Sequence, residues 1–535
     1  MKHLLLICFL LWICYQSTHS TEIQILHTND IHSHLDHSIH RPELGGHGRL
    51  KNMIARLKAE AKTNGMETIA MDAGDFSEGH IYYLADRGRT TYQVHGSVGY
   101  DVSVIGNHDY LMGAKDLDVI LRDVDTSFQL LGANFHTSPK YVNIQKKIKP
   151  YWETEIDGIK IGVLGLTTDD LLYEWRIGDG YISNEYKTAK KFAQELRDRG
   201  NDIIIALTHL GLKKDKKLAK KVPEIDLIVG GHSHDDIHSV VWQASKKGKL
   251  IPIVQAGKHA QWLGRIILDY RKNQKKLYIK DYGLLPVNQD SKHPVVENLI
   301  AKANSQLNFH FGQDWLEEPL GESRITPIHR GGKPEIWYHF ITDAMVEAID
   351  ADMGIHVSAL SGDNYPVGII NRRAIYNSNP RTFEFDRHMG YNVFSTRVKG
   401  AWVSILLKVA LRFGLPMYFS GLTFDYKVIG DSRYTHKYKI KNIRHNGKRI
   451  NPFKYYKIAL SEAIIRGGEA ITPFVKLLMK YSDDYKYPMW LAIEERVRQF
   501  VIVDDNYLDE RPPYGERSNF VESNNSYQKI PALKR

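Results

Sequence analysis

Cysteine is nearly absent from this chain of 535 residues: there are two, Cys8 and Cys14, both within the first twenty positions. Beyond them the chain has no thiol to pair in a disulfide and none to offer zinc as thiolate. Long apolar runs are lacking too. The run Leu4–Cys14 has eleven residues, too few to cross a bilayer, and no later stretch approaches the roughly 18 uninterrupted apolar residues of a membrane helix. With Lys2 before it and Thr18-His19-Ser20 after it, the run predicts a signal peptide over 1–20 that is removed on export. The expectation is therefore an exported protein, periplasmic or extracellular, with no transmembrane anchor. The polar end Ser518–Arg535 carries no hydrophobic anchoring signal.

A dominant charge of one sign is also missing. Lys and Arg number 72 against 62 Asp and Glu, a net charge of +10. That excess can draw in anionic substrates. The lysines are scattered, as in Lys213–Lys221 and Lys437–Lys448, among acids and turns. No basic helix, RNA-binding signature or zinc-finger spacing is present, so a nucleic-acid polymer is not an expected partner and these charges read as solvated surface.

What the chain does contain falls into two halves. Over 21–290, apolar β-like runs alternate with helix-like stretches, as in Ile161–Leu166, then Lys187–Arg199 stopped by Gly200, then Ile203–Leu207. That alternation predicts an α/β layered domain. Asp157-Gly158 reads as a hairpin turn between Tyr151–Ile156 and Ile159–Leu166. A polar helical linker is expected over 291–320. A separate α+β domain follows over 321–521, with a helix at Ile336–Ile349 and β-like runs at Tyr418–Ile429 and Tyr438–Ile443. The last residues, 522–535, read as a disordered tail.

Five short segments of the first half place metal-binding side chains directly after an apolar run. They are Asp30-Ile31-His32, Gly74-Asp75, Gly106-Asn107-His108-Asp109, Thr208-His209 and Gly231-His232-Ser233-His234. Five in order describe a sheet whose loops assemble one site rich in oxygen and imidazole donors. The donors divide evenly, with Asp30, His32, Asp75 and His234 at one ion and Asp75, Asn107, His209 and His232 at a second. Oxygen and nitrogen donors without thiolate suit zinc, manganese, iron or cobalt. Two divalent ions about 3.5–4 Å apart can activate a water and clamp a phosphoryl group. His108, with Asn107 and Asp109 beside it in sequence, is the candidate group for steadying phosphate oxygens or protonating a leaving group.

The string Leu26-His27-Thr28-Asn29-Asp30-Ile31-His32, with Asp72-Ala73-Gly74-Asp75, Gly106-Asn107-His108-Asp109, Thr208-His209-Leu210-Gly211 and Gly230-Gly231-His232-Ser233-His234, resembles the calcineurin-like metallophosphoesterases. More narrowly it resembles the exported 5′-nucleotidase family, through Val254-Gln255-Ala256-Gly257 and Leu263-Gly264. The second half matches more loosely, at Thr342-Asp343-Ala344, Ser420-Gly421 and Gly467-Gly468. The resemblance implies a four-layer α/β/β/α catalytic domain, a bridging helix and a C-terminal domain that grips the substrate. It also implies two divalent metal ions and a small phosphorylated substrate, a nucleotide first of all. Relatives that act on cyclic nucleotides, nucleotide sugars or thiosulfonates supply the alternative, and a non-catalytic surface protein is a third reading.

Three departures concern specificity. The carboxylate that such enzymes place three residues after the catalytic histidine is replaced by Leu111. The segment that matches their Gly-Gly-Ile-Arg, Ser361–Pro366, has no arginine, and of the two readings of Arg372 and Arg373 beyond it, substitutes for that arginine or surface charges, the second is favoured. The two aromatic rings that sandwich a base fall on Met389 and Ala463. Tyr391, Phe394 and Phe474 lie near in sequence and read as core.

Overall fold

The computed structural model describes residues 20–124, 127–169, 174–327, 330–333, 335–358, 361, 365–380, 390–412, 417–432, 435–468, 482–510 and 518–520. The expected signal peptide, apart from Ser20, and the expected tail 522–535 lie outside the described residues. The chain forms two compact units. One takes the residues up to Ser77, Arg89–Asp169 and Arg176–Ala301, and the other takes Glu78–Gly88, 174–175 and the chain from Lys302 onward.

The first unit is built on two sheets. Seven strands run in the order Lys276–Pro286, Trp262–Arg271, Ser20–Thr28, Glu67–Asp72, Val102–Val104, Gln129–Leu131 and Ile148–Lys149. Six more run in the order Val241–Ala244, Leu250–Val254, Leu227–Gly230, Ile203–His209, Ile159–Thr167 and Tyr151–Ile156. Ser20–Thr28 through Ile148–Lys149 in the first sheet, and Leu250–Val254 through Ile159–Thr167 in the second, run parallel, while Trp262–Arg271 is antiparallel to both of its neighbours. A parallel strand covered on both faces needs apolar side chains at every position, which is why Ile203–Leu207 is an unbroken apolar run. Alternation sorts it: Ile203, Ile205 and Leu207 face the core between the sheets, with Ile23, Ile25, Val102 and Val104 among their companions. Ile204 and Ala206 face outward, onto Ala189, Ala193 and Leu196 of helix Glu185–Asp198 and Leu218 and Ala219 of helix Leu212–Lys221. Burial contributes about 1.5–3 kcal/mol for each such isoleucine or leucine. Against the other sheet, helix His47–Thr63 buries Leu50, Met53, Ile54 and Leu57, and the Leu57 carbonyl accepts a hydrogen bond from Gln24 of the strand beneath. The result is the expected α/β/β/α layering.

Local signals behave as the sequence suggests. The Asn184 side chain caps helix Glu185–Asp198 by accepting from the Lys187 N–H, and Gly200, at φ +85°, follows its end. Asp157 and Gly158, at φ +49° and +72°, turn the hairpin between Tyr151–Ile156 and Ile159–Thr167.

The second unit is α+β. A five-stranded sheet has the order Met417–Ser420, Met353–Val357, Tyr455–Ser461, Asn392–Lys399 and Ser482–Pro488. A four-stranded sheet has the order Lys448–Arg449, Thr435–His445, Leu422–Ser432 and Ser518–Phe520. Here the sequence reading needs a correction, because the run Tyr418–Ile429 is not one strand. It breaks at Gly421, whose φ of +64° and whose approach to the Asp352 carbonyl (a Cβ would stand 2.3 Å from that oxygen) admit only glycine. Met417–Ser420 joins one sheet and Leu422–Ser432 the other. The expected connecting helix is likewise interrupted, into Pro294–Phe311 and Gln313–Glu317, by Gly312 at φ +83°. No described helix is long and apolar enough to cross a membrane.

Candidate metal centre

Because the inner strands run parallel, their C-terminal ends share one edge of each sheet, where open α/β sheets bind ligands. All five sequence segments sit there. Asp30 and His32 follow Ser20–Thr28, Asp75 follows Glu67–Asp72, and Asn107 and His108 follow Val102–Val104. His209 ends the strand Ile203–His209, while His232 and His234 follow Leu227–Gly230. Backbone hydrogen bonds join the first two loops: the N–H groups of Asp30, His32 and Ser33 donate to the carbonyls of Gly74, Asp75 and Phe76 at 2.8–2.9 Å.

These loops hold unusual backbone. Asp30, His32, Asp75, His232 and His234 have φ of +54°, +51°, +56°, +78° and +56°. A non-glycine residue in the left-handed region costs roughly 1–3 kcal/mol, and such residues cluster where function requires the conformation. Close approach adds a second constraint. A Cβ on Gly106 would stand 2.1 Å from Asp75 Oδ1, and one on Gly231 would stand 2.7 Å from the Ala73 carbonyl oxygen.

Each carboxylate is held by one oxygen and presents the other. Asp30 Oδ2 accepts from the His232 N–H at 2.8 Å and the Asn29 amide at 2.6 Å. Its Oδ1 is buried with no hydrogen-bond partner and faces His234 Nε2 at 3.3 Å, His32 Nε2 at 3.8 Å and His209 Nε2 at 3.9 Å. Asp75 Oδ1 accepts from the His108 N–H at 2.8 Å. Its Oδ2 lies 2.9 Å from His209 Nε2, 3.8 Å from His32 Nε2 and 3.9 Å from His108 Nε2. His209 donates from Nδ1 to the Ala73 carbonyl at 2.7 Å, which leaves Nε2 to face the carboxylates.

The donors fit metal ions. Two atoms each about 2.1 Å from one ion, at tetrahedral to octahedral angles, stand about 3.0–3.4 Å apart. His32 Nε2 and His234 Nε2 are 3.2 Å apart, and His234 Nε2 and Asp30 Oδ1 are 3.3 Å apart. Three groups could each hold an ion: Asp30, His32 and His234; Asp75, His209 and His232; and His32, Asp75 and His108. Asn107 Oδ1, buried without a hydrogen-bond partner, is a further free oxygen donor on these loops. Electrostatics agree. Burial opposes charge on His209, yet Asp75 carries its pKa up to about 10, so the carboxylates draw positive charge between them. Burial, and then the neighbouring His209, take His232 down to about 3, which keeps it an unprotonated donor.

Asp109 lies apart from the presented atoms. Its Oδ2 accepts from the N–H groups of Gly106 and Asp75, at 2.7 and 2.9 Å, and its Oδ1 from that of Ser77 at 2.8 Å. Both oxygens are thus occupied in bracing the loops that carry Asp75 and Asn107. Burial, followed by the charge of Asp75, pushes its pKa up to about 8. Leu111 is buried, and its carbonyl accepts from Arg176 Nε at 2.8 Å.

In the second unit Arg372 is not the surface charge expected from the sequence. Its guanidinium makes a bidentate pair with Glu494 at 2.7 and 2.8 Å, and it donates to Glu318 and the Trp315 carbonyl at 2.7 Å each. It also lies over the Trp315 ring at 4.3 Å. Arg372 and Glu494 are 122 residues apart, and nothing in the sequence between them announces that pairing. Arg373 bonds Glu317. Ala463 and Tyr391 are fully buried, and Phe394 is buried in the sheet core. Met389 and Phe474, with 362–364 of the Gly-Gly-Ile-Arg counterpart, lie outside the described residues.

Sequence reasoning missed the residues that hold the donors in place. Asn29 accepts from the Ala256 N–H at 2.7 Å and donates to the Gly257 carbonyl at 2.6 Å. Gln255 donates to the Gly231 carbonyl at 2.9 Å and accepts from the Asp235 N–H at 2.7 Å. The only sequence signal was that these residues recur inside the matched strings.

Comparison with known proteins follows the same division. The model of the calcineurin-like phosphoesterase family matches residues 23–236, and that of the 5′-nucleotidase C-terminal domain matches 327–476. The chain is 24% identical over 528 residues to the trifunctional nucleotide phosphoesterase protein YfkN of Bacillus subtilis, covering 89% of this chain and 34% of that protein. It is 28% identical over 319 residues to snake venom 5′-nucleotidase of Naja atra, covering 55% of this chain and 59% of that protein. In each case the match spans less than two thirds of the relative's length. Among solved structures, a 5′-nucleotidase precursor from Thermus thermophilus superposes with a TM-score of 0.76 at 18% identity, covering 94% of this chain and 100% of that one.

Proposed function

The chain belongs to the calcineurin-like phosphoesterases that carry a 5′-nucleotidase C-terminal domain, and from that premise we propose that it is a metal-dependent phosphoester hydrolase releasing phosphate from nucleotides outside the cytoplasm. The observation that carries this reading is the pair of carboxylates, Asp30 and Asp75, each anchored by one oxygen and presenting the other among the Nε2 atoms of His32, His209 and His234. Asp30, His32, Asp75 and His234 would hold one divalent ion, and Asp75, Asn107, His209 and His232 a second. Such a pair supplies, when bound, an activated water and neutralisation of charge on the phosphoryl oxygens.

The chain's own groups do the rest. Asp75 Oδ2, which faces both His32 and His209, is the oxygen shared between the two donor sets. His108 presents Nε2 on the same side of Asp75, where it steadies the phosphoryl oxygens and returns a proton to the departing ester oxygen as the phosphorus–oxygen bond breaks. Asn107 contributes its carbonyl oxygen as a donor. Asp109 is a positioning residue, acting through the backbone of Gly106, Asp75 and Ser77.

One observation favours a second reading, a hydrolase of the same chemistry with a different ester. Arg372 is fully engaged with Glu494, Glu318 and Trp315, and the position of one stacking ring is the buried Ala463. Cyclic diesters, sugar nucleotides and thiosulfonates are the candidates. Hydrolysis by the manganese- or zinc-loaded protein of 5′-, 3′- and cyclic nucleotides, a nucleotide sugar and an aryl phosphate, with the nucleoside, nucleotide and phosphate products separated and identified, distinguishes the two. Preference for 5′-monophosphates supports the first reading, and hydrolysis of the cyclic nucleotide or the nucleotide sugar with 5′-monophosphates poorly used overturns it in favour of the second.

A further inference from the structure

The charge run Lys437–Lys448, which reads as solvated surface in the sequence, gains a different meaning from the strand register. Strands Leu422–Ser432 and Thr435–His445 are antiparallel, with Lys427 opposite Lys439, Asp425 opposite Lys441 and Thr423 opposite Arg444. The short strand Lys448–Arg449 then places Arg449 opposite Arg444. Side chains alternate across a sheet. Phe424, Tyr426, Ile440 and Ile443 point inward to the core shared with helix Gly400–Arg412. Lys427, Lys439, Lys441, Arg444 and Arg449 therefore share the outward face, and the bulge at Asn442, with φ of +52°, keeps Arg444 in line with Lys441.

Like charges directly opposite each other destabilise an antiparallel pair. This face contains two such pairs, Lys427 with Lys439 and Arg444 with Arg449. Among the described residues none of these four has an ion-pair partner, and Arg444 only donates to the Gly447 carbonyl. The single acid in the described part of the row, Asp425, accepts from the Asn442 amide. Five cations thus stand on three adjacent strands about 5 Å apart: Lys439, Lys441 and Arg444 along the central strand, over about 17 Å, with Lys427 on one side and Arg449 on the other. A fold with no use for this repulsion would relieve it by one substitution to glutamate.

We infer that this sheet face binds a linear acidic polysaccharide, its sulfate or carboxylate groups lying along the three cations of the central strand, with Lys427 and Arg449 on either side. The chemistry on the face favours that partner. Tyr426 and Tyr438 are turned to the core, so neither offers its ring for nucleobases to stack upon. Among the described residues the exposed apolar side chain beside these cations is Ile429, at the bulge beyond Lys427, and one such side chain is too little apolar surface to enter a bilayer. The binding is independent of phosphate release.

The test uses the full chain and the variant Lys427→Glu with Arg449→Glu, which turns both repelling pairs into attracting ones. Binding to heparin is measured at fixed salt, beside single-stranded oligothymidylate and phosphatidylcholine–phosphatidylserine vesicles. The native chain is expected to prefer heparin, and the variant to bind it about tenfold or more weakly with a melting temperature equal or higher. Lys146→Glu with Lys190→Glu, elsewhere on the surface and of equal charge change, is expected to keep heparin affinity within about twofold. Equal binding by the native chain and the paired variant overturns the inference. So does equal loss in the control, which would make net charge the cause, or preference for the oligonucleotide or the vesicles.

Discussion

His32 Nε2 and His234 Nε2 face each other across 3.2 Å, with the rings at 68°. These residues are 202 positions apart and come from loops of different sheets. Two imidazole nitrogens that close are held by a hydrogen bond when one ring carries the proton there, or by a cation that both ligate, and Asp30 Oδ1, 3.3 Å from His234, completes a donor set for the cation. His234→Ala removes a donor without touching the fold core. It is expected to lower bound metal per chain by about one ion and phosphate release by about a hundredfold, checked by elemental analysis and single-substrate rates.

Asp109 brings a different expectation. Asp109→Ala leaves the N–H groups of Gly106, Asp75 and Ser77 buried without an acceptor. At about 1–3 kcal/mol for each unsatisfied group, stability should fall by roughly 3 kcal/mol or more, together with activity. Urea unfolding of the native chain and variant measures the first, and initial rates the second. A variant that lost activity at unchanged stability would return Asp109 to the reaction itself.

Gly106→Ala probes the close approach directly. The added methyl would meet Asp75 Oδ1 at 2.1 Å, so the oxygen that His108 N–H holds must move. Activity is expected to fall at least about a hundredfold, as in other cases where a reacting geometry shifts by an ångström. Retention of the native rate would mean that Asp75 is less tightly placed than its hydrogen bonds imply.

Arg372→Ala distinguishes a structural arginine from a substrate arginine. It strips Glu494 of its bidentate partner in the protein interior and leaves it only the half-exposed Arg498, a loss below the roughly 3–5 kcal/mol of a fully unpaired buried charge. The expected signature is a lower melting temperature with KM for the substrate within about twofold of native. A large rise in KM at unchanged stability would place Arg372 at the substrate.

Buried neutral histidines set the acid limit of the fold. Burial lowers the pKa of His27 to about 3, of His47 to about 4 and of His356 to about 3. Each titrates near 6.5 when unfolded, so the unfolded chain takes up the proton first. Their contribution is fully present above about pH 6.5 and is lost as pH falls from there toward the folded values, on the order of 3 kcal/mol for His47. His27→Leu replaces a ring with no hydrogen-bond partner at either nitrogen. It should flatten the decline in urea midpoint between pH 7 and pH 5, and an unchanged slope would mean that His27 is solvated and charged.

The donor residues were legible because each follows its own strand in sequence, so a local apolar run followed by Gly-Asp or Gly-His is enough to place it on one edge of a parallel sheet. Which oxygen of Asp75 is presented was not legible. That depends on the His108 N–H and on Gly106, both defined by a loop 31 or more residues away. The left-handed backbone at Asp30, His32, Asp75, His232 and His234 was hidden for the same reason, since tertiary hydrogen bonds impose it. In the second unit the strand break at Gly421 depends on contact with Asp352, and the burial of Arg372 on acids brought in from two other segments. Pairings across long sequence separation leave no periodic trace.

If two metal ions bind, Asp75 Oδ2 would be the oxygen they share. Anomalous diffraction from crystals of the manganese- or zinc-loaded chain, recorded on either side of the metal absorption edge, tests it. Two peaks about 3.5–4 Å apart, one beside Asp30, His32 and His234 and one beside Asn107, His209 and His232, with Asp75 touching both, are expected. A single peak, or two that do not share Asp75, would contradict it.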